Sequence, residues 1–393
     1  MRILYIVDNY YPHIGGAELL FQNLAEGMAK ANHKVTVLTP KNFPEYRDQE
    51  MYHGVQIVRQ RVPPFAQRYF FTIWAIWKAI QLAKQHDLIH TATYNSIPLA
   101  WLAGLIARKK TVLTIYEVWD KKWYNLSGQT ALKASLFRLF ERTLLLFPFN
   151  RVICISDSTL RDYKALFPSV PAERIYPGVD YESMERLRLT APQKNAFRQA
   201  KNWKEKDYVI LGFGRPGISK GFDYLIEAVP TVVSNLPNAR FVFIFPSAPN
   251  FISLRELLVQ RLESFNLPAS LTVLDRQSQA DLFAYIQSVD CVVIPSLAEG
   301  FGYAAIEACT LAASVVTTTA GSIPEVVSGK VYLTMPANSH ALAEGIIKMA
   351  TSSELGLPSQ KFTNEAMIRA HSSLYKDLLN QIDNSHPELP VTQ

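Results

Sequence analysis

Short, nearly continuous apolar runs recur along the chain, separated by stretches with helical spacing. RILYIV (2–7), KVTVLTP (34–40), VQIVRQRV (55–62), LIHTA (88–92), KTVLTIYE (110–117) and RVICIS (151–156) read as strands buried on both faces. A second series follows in YVILGFGR (208–215), RFVFIFPS (240–247), SLTVLD (270–275), CVVIPS (291–296), SVVTTTA (314–320) and VYLTM (331–335). That alternation predicts an α/β protein with two Rossmann-like, doubly wound parallel-sheet domains. A chain of 393 residues also exceeds what one hydrophobic core usually supports. The first domain is expected over 1–180 and the second over 205–361. Between them, 181–204 is polar and charged and reads as a linker. The last helical pattern, FTNEAMIRAHSSLYKDLLNQI, lies in a 362–393 segment expected to cross back onto the first domain and end in a loose tail.

The stretch PSLAEGFGYAAIEAC carries the sharpest chemical signal. Pro295 stops a buried strand, Gly300 and Gly302 permit a tight turn, and good helix formers begin at Tyr303. The free amides and positive dipole end of that helix suit an anion such as a diphosphate. Two acids flank the turn, Glu299 before the helix and Glu307 more than one turn inside it. If both were helical they would lie about 12 Å apart along the axis at ~1.5 Å per residue. A retaining glycosidase pair sits roughly 5 to 5.5 Å apart, so separate roles fit better than a matched pair. The plainer reading is that both are exposed acids favoured by the helix dipole.

Each domain has a further phosphate-friendly loop after its first strand. DNYYPHIGGAELLFQNLAEGM places Gly15 and Gly16 before a helix starting near Ala17, without the Lys-Ser/Thr of a Walker loop. GFGRPGISKGFDYLIEAV sets Arg215 and Lys220 around a Pro-Gly turn, a bidentate fork and a point charge suited to a diphosphate. A plain loop-to-helix turn and solvated loop charges are the alternatives. Their place at the carboxyl ends of first strands, where open α/β sheets bind ligands, favours the functional reading.

Charge and cysteine usage narrow the classes. Net charge is +6, but no arginine-rich arm, finger spacing or RNA-binding aromatic signature accompanies it, so nucleic acid is not expected as a partner. Phosphates or anionic lipid suit the charge better. Cys154, Cys291 and Cys309 sit in apolar stretches and read as reduced core residues. No apolar run reaches membrane-span length, which points to the cytoplasmic side.

The ordered set YPHIGGAE, ICISDSTL, YPGVD, GRPGISKG, LFAYIQSVDCVVIPS, EGFGYAAIEA and TTAGSIPEVV, from residue 10 to 327, resembles a known family. It is that of the retaining, nucleotide-sugar-dependent glycosyltransferases of the GT-B fold, the large group 1 family, or family four. That resemblance implies two domains facing a cleft. It implies that Gly15 and Gly16 close over the donor diphosphate, that Arg215 and Lys220 neutralise it, that Glu307 holds the ribose hydroxyls and that Glu299 lies beside the donor sugar. Backbone amides of Gly302, Tyr303 and Ala304 would complete the phosphate cradle, and backbone groups near Arg276 would read the base. It further implies a glycan or lipid-linked acceptor and attack on the same face as the departing group, the leaving phosphate taking the acceptor's proton. DRQSQAD (275–281) lacks a D-x-D metal spacing, so no essential metal and no cofactor beyond the donor are expected.

The chain departs from the family pattern at T-I-Y-E, where Tyr116 stands in place of a histidine and Glu117 follows. A phenol can still donate a hydrogen bond to sugar or acceptor, and His13 is another candidate contact. Two segments, 65–80 and 130–147, are rich in aromatic or leucine residues; in the second, Lys133, Arg138 and Arg142 oppose Leu132, Leu136, Leu139 and Phe140. Either they touch anionic lipid and present a lipid-linked acceptor, with the enzyme peripheral on the membrane's cytoplasmic face, or they pack on the domain core. A transferase, a sugar-nucleotide epimerase of the same architecture and a catalytically inactive nucleotide-sugar-binding protein remain open on sequence alone.

Overall fold

A computed structural model describes residues 1–12, 15–63, 67–247, 251–351 and 356–383. His13, Phe65, Ala66 and the tail after residue 383 lie outside them. Contacts divide the chain into two units: Met1–Trp123, Thr130–Val179 and Phe362–Gln393 form one, Tyr124–Gln129 and Asp180–Lys361 the other.

The first unit is built on β1 (Arg2–Ile6), β2 (Lys34–Pro40), β3 (Gln49–Tyr52), β4 (Val55–Gln60), β5 (Leu88–Ala92), β6 (Lys110–Ile115), β7 (Arg151–Cys154) and β8 (Ala172–Arg174). Their order is β3-β4-β2-β1-β5-β6-β7-β8, parallel throughout except that β3 runs against β4. The expected apolar runs form its six central strands. Both edges are short additions that sequence patterning did not register, QEMY and AER.

Register alternation gives this sheet two different faces. Ile89 and Thr91 share a face, Thr91 pairs with Leu113 and Leu113 with Val152. On that face Leu4, Ile6 and Ile89 pack under the helices Gln67–Gln85 and Ile97–Ala107. Leu113 and Val152 pack there under the end of Ala131–Leu145. The opposite face holds Tyr5 and His90, covered by Phe21 of Gly16–Lys30 and by Tyr375 of the last helix, Asn364–Asp383. His90 Nδ1 lies 2.5 Å from the buried Tyr375 hydroxyl. Burial pushes both His90 and His371 down, the latter to about 4, so this interface is built on neutral imidazoles.

The second unit has β9 (Tyr208–Phe213), β10 (Ala239–Ile244), β11 (Leu271–Leu274), β12 (Cys291–Ile294), β13 (Val315–Thr318) and β14 (Val331–Thr334) in the order β11-β10-β9-β12-β13-β14, all parallel. The stretch 181–204, expected as a linker, instead contributes the helices Tyr181–Arg186 and Ala191–Ala200 to this unit. The reason is local capping plus anchoring. Gln193 caps the second helix through the Thr190 amide, and Arg198 donates to the Ser288 and Asp207 carbonyls at 2.8 Å each.

Candidate active site

In an open parallel sheet a ligand crevice forms where the connections reverse direction, outside the strands' carboxyl ends. In the second unit that point lies between β9 and β12. The loop after β9 carries Arg215 and Lys220, and the loop after β12 carries Glu299 and Gly302. The Leu297 amide donates to the Ser219 carbonyl at 2.8 Å, tying the two loops together. Gly221 has φ +65°, and a Cβ there would sit 2.2 Å from the Pro295 carbonyl. Gly321, at φ +54°, likewise brings its backbone against Glu299, where a Cβ would meet the Glu299 carbonyl at 2.2 Å. Only glycine permits both the left-handed conformation and that approach.

Lys220 Nζ is 2.7 Å from Glu299 Oε2, and the Ser296 hydroxyl donates to the same oxygen at 3.2 Å. The Ser322 amide and hydroxyl both donate to the Glu299 carbonyl at 3.1 Å. Glu299 is therefore fixed from both ends. Arg215 is exposed, and among the described residues no acid pairs with it. Gly302 is the residue before the helix Tyr303–Leu311, whose first turn brings the Tyr303 and Ala304 amides to this loop. Glu307, one turn in, is half-buried, and burial alone raises its carboxyl to about 7. Arg276 follows the edge strand β11 and is exposed, with β10 standing between it and β9.

The first unit has its own reversal point, between β1 and β5. A cavity of about 180 Å³ opens there, lined by Asp8, Asn9, Glu18, Tyr94, Asn95 and Tyr116. Asp8 accepts from the Asn95 amide and side chain at 3.2 Å each and from the Ser96 hydroxyl. Gly15 precedes the helix Gly16–Lys30, and Glu18 folds back over it, held by Asn9 at 3.3 Å. The Tyr116 ring meets Phe21 edge-on at 6.2 Å. Glu117 pairs with Lys122 at 3.4 Å.

Two residues that sequence reasoning passed over hold this region. Arg59, a buried cation in β4, donates to the Tyr11 carbonyl at 2.8 Å and so fixes the approach to the glycine loop. Glu141, 1% exposed, accepts from the Trp119 and Asp120 amides at 2.8 and 2.7 Å, from Trp123 Nε1 at 2.9 Å, and from the Tyr94 hydroxyl at 3.1 Å. It organises the loop that follows Tyr116 and Glu117. Glu141→Ala leaves those donors facing an empty space and is expected to cost about 3 kcal/mol. Urea titration followed by tryptophan fluorescence checks this, because Trp119 and Trp123 report on the loop; an unchanged midpoint would refute it.

Two parallel-sheet α/β units, each with loops gathered at a reversal point, are the architecture of the GT-B fold. HepE of Anabaena, solved in complex with UDP, aligns with a TM-score of 0.71 over 98% of this chain and 99% of its own, at 19% identity. Sucrose-phosphate synthase from Thermosynechococcus elongatus aligns with a TM-score of 0.71 over 98% of each chain, at 18% identity. These likenesses show the GT-B fold. In sequence, residues 14–183 match the model of Glycosyltransferase Family 4 and residues 193–366 that of Glycosyl transferases group 1. The chain belongs to the group 1 glycosyltransferases. An uncharacterized glycosyltransferase of Methanocaldococcus jannaschii is 26% identical over 88% of each chain. The GPI3 subunit of phosphatidylinositol N-acetylglucosaminyltransferase from Saccharomyces cerevisiae is 23% identical over 83% of this chain and 69% of its own.

Proposed function

We propose that the protein moves a hexose from a nucleoside-diphosphate sugar to a hydroxyl of a glycan or lipid-linked glycan, with retention at the anomeric carbon and without an obligatory metal ion. The observation that carries this reading is the Lys220–Glu299 pair at the reversal point of the second unit, beside unpaired Arg215 and the start of Tyr303–Leu311. Cleaving the bond between the anomeric carbon and the phosphate oxygen concentrates negative charge on the diphosphate. Fixed cations and amides aimed at such charge are usually the largest catalytic term. The acceptor oxygen forms the new bond on the same face, and its proton passes to the departing phosphate oxygen. Glu307, lacking a cation of its own, suits the ribose hydroxyls. Arg215 and Lys220 supply the charge a metal would otherwise bring.

HepE was solved with UDP, which makes UDP the first nucleotide to try. Thermal shift across nucleoside diphosphates should single out one base, with a gain of about 2.7 kcal/mol at a hundredfold excess over Kd. Turnover with that donor should release the diphosphate only in the presence of an acceptor and persist in EDTA. Indifference to every nucleotide overturns the reading. Conversion of the donor without an acceptor would instead mark an epimerase. Binding without release of diphosphate would mark a non-catalytic descendant, the case that Tyr116 in the histidine's place favours.

A further inference from the structure

Amphipathic helices normally bury their apolar stripe. Ala131–Leu145 buries one stripe and leaves a second apolar stripe uncovered. Arg138 and Arg142 turn to Asp120 at 2.7 and 2.8 Å and Glu141 is buried, sharing the attached face with Ala134, Phe137, Leu144 and Leu145. Leu132, Leu136, Leu139 and Phe140 are left facing solvent, Leu132 with 73% of its surface exposed. Of the two readings of these segments, packing on the core holds for Phe71, Ala75, Leu144 and Leu145 but not for these four side chains. In the same layer, Gln67–Gln85 presents Ile73, Trp74 and Trp77 outward, with Trp77 77% exposed. Between the two, Ile97–Ala107 adds Leu105 and Ile106. The helices adjoin: Ala75 and Ala79 share a cluster with Leu99 and Ala103, and Trp101 meets Phe147 at 5.1 Å.

Charge on this layer is one-sided. Across 67–85, 97–108 and 131–145 the only acid is Glu141, and it is buried. The bases include Lys78 and Lys84 on the first helix, Arg108 at the end of the second, and Lys133 with the two internally engaged arginines on the third. Among the described residues, Lys78, Lys84, Arg108 and Lys133 form no ion pair. No described helix is long and apolar enough to cross a bilayer.

We propose that this helix layer docks flat on an anionic lipid bilayer. Tryptophan and leucine side chains enter the headgroup boundary while the lysines and arginines meet lipid phosphates. An exposed apolar patch of this extent marks an interaction surface. Self-association through it would set like charges face to face, and a neutral partner would leave the absence of carboxylates without use.

Flotation of the full chain with vesicles tests this. Binding should be strong with phosphatidylglycerol-containing vesicles, at least about tenfold weaker with phosphatidylcholine alone, and weakened by potassium chloride. Trp77→Ser and Leu132→Ser/Leu139→Ser should each lower partitioning about tenfold with little change in Tm, since these side chains are mostly exposed to water. No binding, equal binding to both vesicle types, or a dimer abolished by the same substitutions overturns the proposal. Turnover on a water-soluble acceptor reports separately on the transfer reaction, so the two readings can fail independently.

Discussion

Lys220→Ala is expected to lower kcat about 10²–10³-fold, and Arg215→Ala by a similar factor. In the proposed reaction the two residues act on the same developing charge but start from different states. Lys220 is already paired with Glu299 at 2.7 Å. A bound diphosphate must compete with that carboxylate for it, so part of the ammonium's charge reaches the leaving group only as the bond breaks. Removing it also leaves Glu299 as a half-buried acid with Ser296 alone to stabilise it, which adds like-charge repulsion toward the diphosphate. Arg215 has no such competitor. Its loss should therefore raise KM for the donor along with lowering kcat, whereas Lys220→Ala should act mainly on kcat. Lys220→Arg should recover little, because the pairing geometry with Glu299 suits a point charge rather than a planar fork. Steady-state kinetics with saturating acceptor decides this; a variant with wild-type kcat would remove Lys220 from the chemistry.

Glu307→Gln should separate stability from binding in opposite directions. Burial raises the folded-state carboxyl from 4.5 to about 7, so the native state binds a proton more tightly than the unfolded chain does. Stability from this group is then full below pH 4.5 and is lost as pH rises toward 7. At pH 8 the ionised carboxylate is a standing cost of about 1–3 kcal/mol, discounted for its partial exposure. The neutral amide escapes that cost. The variant should thus melt higher than wild type at pH 8, with the difference closing toward pH 4.5. Nucleotide affinity should fall about 10²-fold or more, since the charged acceptor proposed for the ribose hydroxyls is gone. Paired melting curves and calorimetric titration across that range check both. Equal melting at pH 8 would show that the buried charge is not destabilising.

Much of the fold could be read from the chain because parallel strands covered on both faces are written as unbroken apolar runs. The six central strands of one sheet and all six of the other coincide with such runs. β3 and β8 escaped because an edge strand needs no apolar face: QEMY and AER are half exposed and carry charge. Helical periodicity located the stripe on Ala131–Leu145 but not which side of the helix is attached. That orientation is decided by Asp120 and by amides of the loop before it, groups 11 or more residues upstream, as Asp120 to Ala131 shows. Glu141 went unremarked in the sequence for the same reason. At the candidate site, Lys220 and Glu299 were each visible as chemistry, yet their direct bond spans 79 residues and no local pattern encodes it.

The last helix carries one more consequence. Met367, His371, Tyr375 and Leu378 are buried in the first unit, and Asp180–Lys361, nearly all of the second unit, lies between them and residue 179 in the chain. During synthesis the amino-terminal sheet emerges first, yet over Tyr5 and His90 it has only Phe21 as cover until the final helix has left the ribosome. The second unit, nearly contiguous in sequence, can close before it. Birth order and completion order are inverted, and nascent chains halted near residue 361 should remain protease-sensitive in their amino-terminal half.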